Sequence, residues 1–224
     1  MLLLIGYRAT GKTTLARLLG ERLQMEAVDT DQLIERKAGR TIAEIFAEPG
    51  ELTCRNSGET VFRDYESQVI AELLHGEPLV IATGGGLPVR PANRTLIKSA
   101  VLKRVVAEGA LRPAEEGALR PATVVWLKAS PETILRRMVG DPATEFMRPQ
   151  LTNLPPLAEI EHLLNERTPI YREIADWEVD TDNASLPELV EKIAAWYQVT
   201  QETATGNLRC GRSTAVRSCN ARSE

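Results

Sequence analysis

Residues 6–14 read GYRATGKTT, and this stretch decides the fold. It fits the spacing Gly-x-x-x-x-Gly-Lys-Thr through Gly6, Gly11, Lys12 and Thr13. Glycines at the two ends let backbone N–H groups turn inward around an anion, and a helix starting there adds positive potential. The flanks give the context such a loop requires. Leu2 to Ile5 are apolar throughout, as in a strand buried on both faces. Leu15, Leu18, Leu19 and Leu23 then share one face of a helix. The loop is therefore expected to hold the phosphates of ATP with Gly6, Ala9, Thr10, Gly11, Lys12, Thr13 and Thr14. Lys12 is expected to reach the β- and γ-phosphates, and the Thr13 hydroxyl to ligate Mg²⁺.

Downstream, apolar strands alternate with helical stretches. Ala27 and Val28 lead into Asp29-Thr30-Asp31, and a short helix follows to Gly39. A second short helix is predicted over Ile42 to Phe46, stopped by the turn at residues 48–50. A longer one over Glu59 to Leu74 presents Phe62, Tyr65, Val69 and Leu73 on one face. Residues 79–83 (LVIAT) form a strand that empties into Gly84, Gly85 and Gly86, and residues 123–129 (TVVWLKA) form another. Residues 177–181 (WEVDT) are the last strand, and Ser185 with Glu188 caps a closing helix to about Gln198. The expected fold is α/β, a three-layer sandwich of the P-loop kinase type. It has a central parallel sheet, helices on both faces and a mobile lid. Ligands in such sheets collect at the carboxyl ends of strands, where the loop, the DTD stretch and the three glycines all lie.

Two segments stand outside this plan. Residues 108–122 read EGALRPA-E-EGALRPA, a local duplication, and with their flanks read as an inserted solvent loop over about 101–122. Residues 199–224, rich in polar residues without periodicity, read as a disordered tail beyond a domain of residues 1–198.

Composition narrows the function. The 31 acidic and 27 basic residues leave a net charge of -4, and aromatics are only 4%, so nucleic acid is not an expected partner. No apolar run reaches membrane-spanning length. Three cysteines, Cys54, Cys210 and Cys219, are too scattered for a disulfide framework, and a cytoplasmic monomer is expected. A GTPase would want a guanine-reading NKxD motif, which the sequence lacks, so a small-molecule kinase is favoured.

Such a kinase needs an acceptor site. On a strand, Asp29 and Asp31 would point to one face, where one could hold a metal-bound water and the other accept a proton. Alternatively they are an acidic helix N-terminus. Arg63 and Glu66 are neighbours at i, i+3 on the long helix. Arg148-Pro149 lies in a proline-rich stretch, about 140–156, expected to act as the lid over the phosphates. Arg167 precedes Pro169, which should kink its helix.

Together these pieces resemble the shikimate kinases. The resemblance covers about residues 1–198 apart from the duplicated loop. It rests on the phosphate loop, DTD with Leu33-Ile34-Glu35, and Gly58-Glu59 leading to Phe62-Arg63 and Glu66. It continues with Gly84-Gly85-Gly86, Val124 to Leu127, Arg148-Pro149, and Arg167 followed by Tyr171, Glu173 and Ala175. The resemblance implies ATP- and Mg²⁺-dependent phosphorylation of the 3-hydroxyl of shikimate. It implies Asp31 as base and ligand of the substrate hydroxyls, with Asp29 near the magnesium ion, directly or through water. Arg63 and Arg167 would grip the carboxylate, Glu66 would orient Arg63, and the glycines at 84–86 would face the substrate. Arg148 would meet the ATP phosphates. Where many of the family's loops carry glycine, this chain has Ala9. A gluconate kinase, a nucleoside monophosphate kinase and a non-catalytic ATP-binding relative are the competing readings.

Overall fold

The computed structural model describes residues 1–47, 57–107, 119, 121–140 and 154–204. Arg148, the turn at 48–50, most of the 140–156 stretch, most of the duplicated loop and residues 205–224 lie outside these residues.

Among the described residues, five parallel strands form the sheet. They are β1 (Leu2–Ile5), β2 (Glu26–Asp29), β3 (Leu79–Ala82), β4 (Thr123–Lys128) and β5 (Trp177–Asp180). Their order is β2-β3-β1-β4-β5, so β1 sits in the middle with β3 and β4 as its neighbours. All four β1 side chains are fully buried. Their alternation splits the core into two layers. Leu3 and Ile5 pack with Ile70, Leu74, Ile97 and Trp126 on one face, while Leu2 and Leu4 pack with Leu15, Leu19, Ile193 and Tyr197 on the other. This is the three-layer sandwich expected from the apolar strands.

Among the described residues the helices are α1 (Lys12–Leu23), α2 (Thr30–Ala38), α3 (Ile42–Phe46), α4 (Ser57–His75), α5 (Pro91–Ala107), α6 (Pro131–Val139), α7 (Pro156–Ile174) and α8 (Leu186–Ala204). Capping follows side-chain chemistry. Thr41 and Glu44 form a reciprocal box at α3, Ser130 accepts from the Thr133 N–H at α6, and Gly39 ends α2 with φ 68°. Helices α2, α3 and α4 bury Ile34, Ile42, Ile45, Phe62 and Val69 in a core of their own beside the sheet.

Two boundaries differ from the sequence reading. Helix α5, preceded by a short 3₁₀ turn at Leu87–Val89, occupies residues that reading left without an element, and runs through 101–107. Ile97 and Ala100 anchor it in the core, which a sequence so rich in basic residues does not advertise. The closing helix reaches Ala204 rather than Gln198, and Gln201 bonds the Thr123 hydroxyl at 3.4 Å. Tertiary contact extends it past the point where the apolar stripe stops.

Candidate active site

Strand β1 delivers the chain into the phosphate loop, and the loop's geometry follows from its residues. Gly6 has φ 140°, and a Cβ there would lie 2.4 Å from the Leu127 carbonyl of β4, so only glycine fits. Ala9 takes the left-handed region at φ 60°, a strain of about 1 kcal/mol that glycine would avoid. Within the loop the Tyr7 carbonyl accepts from Thr10 Oγ1 at 2.8 Å and from Lys12 Nζ at 2.6 Å. The buried ammonium is thus folded back onto the loop that a phosphate would share with it.

The DTD stretch straddles the end of β2. Asp29 closes the strand and caps α2, its Oδ1 accepting from the Asp31 N–H at 2.9 Å, and Asp31 belongs to the first helical turn. The two carboxylates therefore do not share a strand face; the helix N-terminus is the reading that holds. The reason is that Asp caps helices well, since its carboxylate satisfies an N–H that the helix cannot. Asp29 Oδ2 accepts from Thr13 Oγ1 at 2.6 Å, joining the two expected metal ligands. Between the aspartates, the buried Thr30 hydroxyl accepts from the Gly84 N–H at 2.8 Å, which ties DTD to the glycine loop.

That loop leaves β3 next door. A Cβ on Gly85 would lie 3.1 Å from the Gly6 carbonyl, so the glycine loop and the phosphate loop touch. Tyr171 Oη donates to the Gly85 carbonyl at 2.5 Å from a fully buried ring. Gly86 makes room for Arg63, whose Nη1 lies 2.1 Å from where a Cβ would stand. Arg63 Nη1 donates to Glu66 Oε2 at 2.8 Å and Nη2 to Glu59 Oε1 at 3.3 Å. Burial acts to lower the Arg63 pKa, but the charge and hydrogen bonds of Glu66, then Glu59, outweigh it and raise the value. The guanidinium stays charged.

Arg167 comes from α7, which passes through Pro169 as one helix. It is 8% exposed and makes no ion pair among the described residues; its guanidinium lies 5.7 Å from the centre of the Tyr7 ring. Burial pushes the Tyr7 phenol up, and the cations Arg8 and Arg167 offset only part of that. Arg63, Arg167, Gly85 and Gly86 line one pocket with Phe46 and Phe62. A lone arginine on a helix is more often solvated, and it is the packing of α7 on the loop that buries Arg167.

Other residues at the site escape sequence reading. Arg137 of α6 donates to the Thr181 carbonyl at 2.6 Å, to the Thr181 hydroxyl at 3.0 Å and to the Ala9 carbonyl at 3.4 Å. It borders a cavity of about 230 Å³ between Thr10, Gly11 and Thr14 on one side and Ala184, Leu186 and Leu189 on the other. In the sequence Arg136-Arg137 is merely the basic end of a helix. Arg8 and Glu159 form a salt bridge at 3.0 Å that no local pattern links.

A parallel sheet with its middle strand feeding a phosphate loop, and a cationic pocket one strand away, defines an α/β kinase of the P-loop class. The shikimate kinase family profile matches residues 8–198. A shikimate kinase of Rhodopirellula baltica is 35% identical over 86% of this chain and 87% of its own length. One of Symbiobacterium thermophilum is 36% identical over 86% and 92%. Among solved structures, shikimate kinase from Acinetobacter baumannii in complex with shikimate superposes with a TM-score of 0.68. It is 30% identical and covers 89% of this chain and 93% of its own. The chain belongs to the shikimate kinase family.

Proposed function

We propose that this kinase transfers the γ-phosphoryl group of ATP to the 3-hydroxyl of shikimate in a Mg²⁺-dependent reaction. The observation that carries the reading is the contact of the glycine loop with the phosphate loop, with the buried Arg167 and the half-buried Arg63 beside it. A small acceptor held there lies next to the transferred phosphate.

The chemistry follows from the residues. Planar guanidinium forks suit a carboxylate better than ammonium groups do, so Arg63 and Arg167 are assigned to the acid group of shikimate. Glu66 holds Arg63 in place. Gly84, Gly85 and Gly86 shape the floor, and Asp31 takes the proton of the attacking hydroxyl. As the new P–O bond forms, the bond to the β-phosphate breaks and ADP leaves. Lys12 turns from the Tyr7 carbonyl to the β- and γ-phosphates, and Gly6, Ala9, Thr10, Gly11 and Thr14 surround them. The cavity bordered by Arg137 is assigned to the base of ATP, and Arg148 to its phosphates. The adjacent hydroxyl and carboxylate oxygens of Thr13 and Asp29 suit a hard cation such as Mg²⁺. When bound, the ion neutralises phosphate charge, which along with alignment is most of what phosphoryl transfer requires.

A coupled assay of ADP release across shikimate, gluconate and nucleoside monophosphates tests the reading. Turnover is expected with shikimate and to depend on Mg²⁺. Turnover with another acceptor alone would overturn it.

A further inference from the structure

Gly84 to Leu87 form a tight turn, closed by a 3.0 Å bond from the Leu87 N–H to the Gly84 carbonyl. Gly85 and Gly86 are its two central residues. Gly86 has φ -93° and ψ -9°, the geometry of the third residue in a type I turn. A type II turn differs by a flip of the central peptide, the unit that carries the Gly85 carbonyl and the Gly86 N–H. It needs positive φ at the third residue. Glycine meets that need without steric cost, so a Gly-Gly pair leaves both forms open. The residues of the turn therefore do not decide which way its central peptide points.

A contact from α7 decides it. Tyr171 Oη donates to the Gly85 carbonyl at 2.5 Å. Tyr171 is fully buried and its ring packs on Trp126, with centres 5.6 Å apart, so the hydroxyl is held on a firm support. In a planar trans peptide the N–H points opposite to the C=O. With the Gly85 carbonyl turned to Tyr171, the Gly86 N–H faces away from it and meets no acceptor among the described residues. The Gly84 N–H, by contrast, is already bonded to Thr30. Gly85 and Gly86 line the pocket of Arg63 and Arg167, and Arg167 stands one helical turn before Tyr171 on α7.

We propose that Tyr171 is a positioning residue for the acceptor. It latches the Gly85–Gly86 peptide so that the Gly86 N–H, and not the Gly85 carbonyl, is offered to the oxygens of shikimate. A flipped peptide would set a carbonyl oxygen against those oxygens. One helix then supplies both a cation for the acceptor's charge and the hydroxyl that orients the loop beneath it. The inference deepens the acceptor reading above and rests on it.

Tyr171→Phe removes the latch and keeps the ring. KM for shikimate is expected to rise about 3- to 10-fold, the worth of one hydrogen bond, while KM for ATP stays within about twofold. Ile174→Val, a trim in the core from the same helix, is the control for stability: it should lower the melting temperature and leave both KM values unchanged. If Tyr171 only braced the helix, the two variants would behave alike. Amide spectra of the unaltered protein labelled with ¹⁵N-glycine give a readout that needs no variant to fold. Shikimate added without nucleotide should shift the Gly86 resonance, and that of Gly84, whose N–H is held by Thr30, should move far less. An unchanged KM for shikimate in Tyr171→Phe, an equal rise in both KM values, or a Gly86 resonance blind to shikimate would overturn the proposal. If the unaltered protein does not turn over shikimate, the acceptor reading itself falls; if it does, only the latch is at stake.

Discussion

Thr13 Oγ1 donates to Asp29 Oδ2 at 2.6 Å, joining the first turn of the phosphate-loop helix to the end of β2. The bond brings two hard oxygen donors together at the mouth of the phosphate loop. Asp29→Asn keeps an oxygen that can still cap α2 but removes the charge that attracts a cation. The Mg²⁺ concentration for half-maximal rate is expected to rise about tenfold or more, with the unfolding midpoint little changed. A rate titration with Mg²⁺ checks this, and an unaltered dependence would place the ion elsewhere.

Asp31, two residues further on in the first turn of α2, is expected to behave differently. Asp31→Asn removes a base without removing bulk, so kcat should fall by about 10²- to 10⁴-fold, the usual range for general-base catalysis. KM for shikimate should move by a much smaller factor. Steady-state kinetics with both substrates separate the two effects, and comparable changes in KM and kcat would assign Asp31 to binding rather than proton transfer.

Gly86→Ala tests the placement of Arg63. A methyl group would stand 2.1 Å from Nη1, but that nitrogen ends a flexible side chain and can swing aside. The protein should fold, while KM for shikimate rises about tenfold as the guanidinium leaves its position. Binding of shikimate followed by calorimetry in the absence of ATP reads this directly. Unchanged affinity would mean that Arg63 does not reach the acceptor.

Asp182 links stability to pH. Both its carboxylate oxygens accept from the Ser130 N–H at 3.0 Å. Burial acts to raise its pKa, but the bonds from Ser130 and Thr133 and the charge of Arg137 outweigh this and lower it. A depressed folded pKa means that the contribution is complete above the ordinary carboxylate value, near pH 4, and is lost as pH falls through the lower folded value. Asp182→Ala should therefore destabilise more at pH 7 than at pH 3, as urea unfolding at the two values would show. Equal losses would remove Asp182 from the acid response.

The elements around the site were largely legible. A continuous apolar strand, a glycine-framed loop and a leucine-faced helix are local patterns, and β1, the loop and α1 follow them. The alternation of apolar strands with helices likewise determined a parallel sheet with covered faces. The sequence also named the residues proposed to meet shikimate, through a resemblance whose motifs lie far apart in the chain. Three matters were left to tertiary structure. Whether DTD was strand or helix cap depended on how Asp29 satisfied the first N–H groups of α2. Helix α5 and the last turns of α8 depend on burial against the sheet and a contact with Thr123, which no local periodicity records. The ion pairing around the arginine-lined pocket joins side chains as distant in the chain as Arg8 and Glu159. Local patterns encode elements because their spacing is set by the backbone. Ion pairs and buried cations depend on which elements pack, and that is settled only when the chain closes on itself.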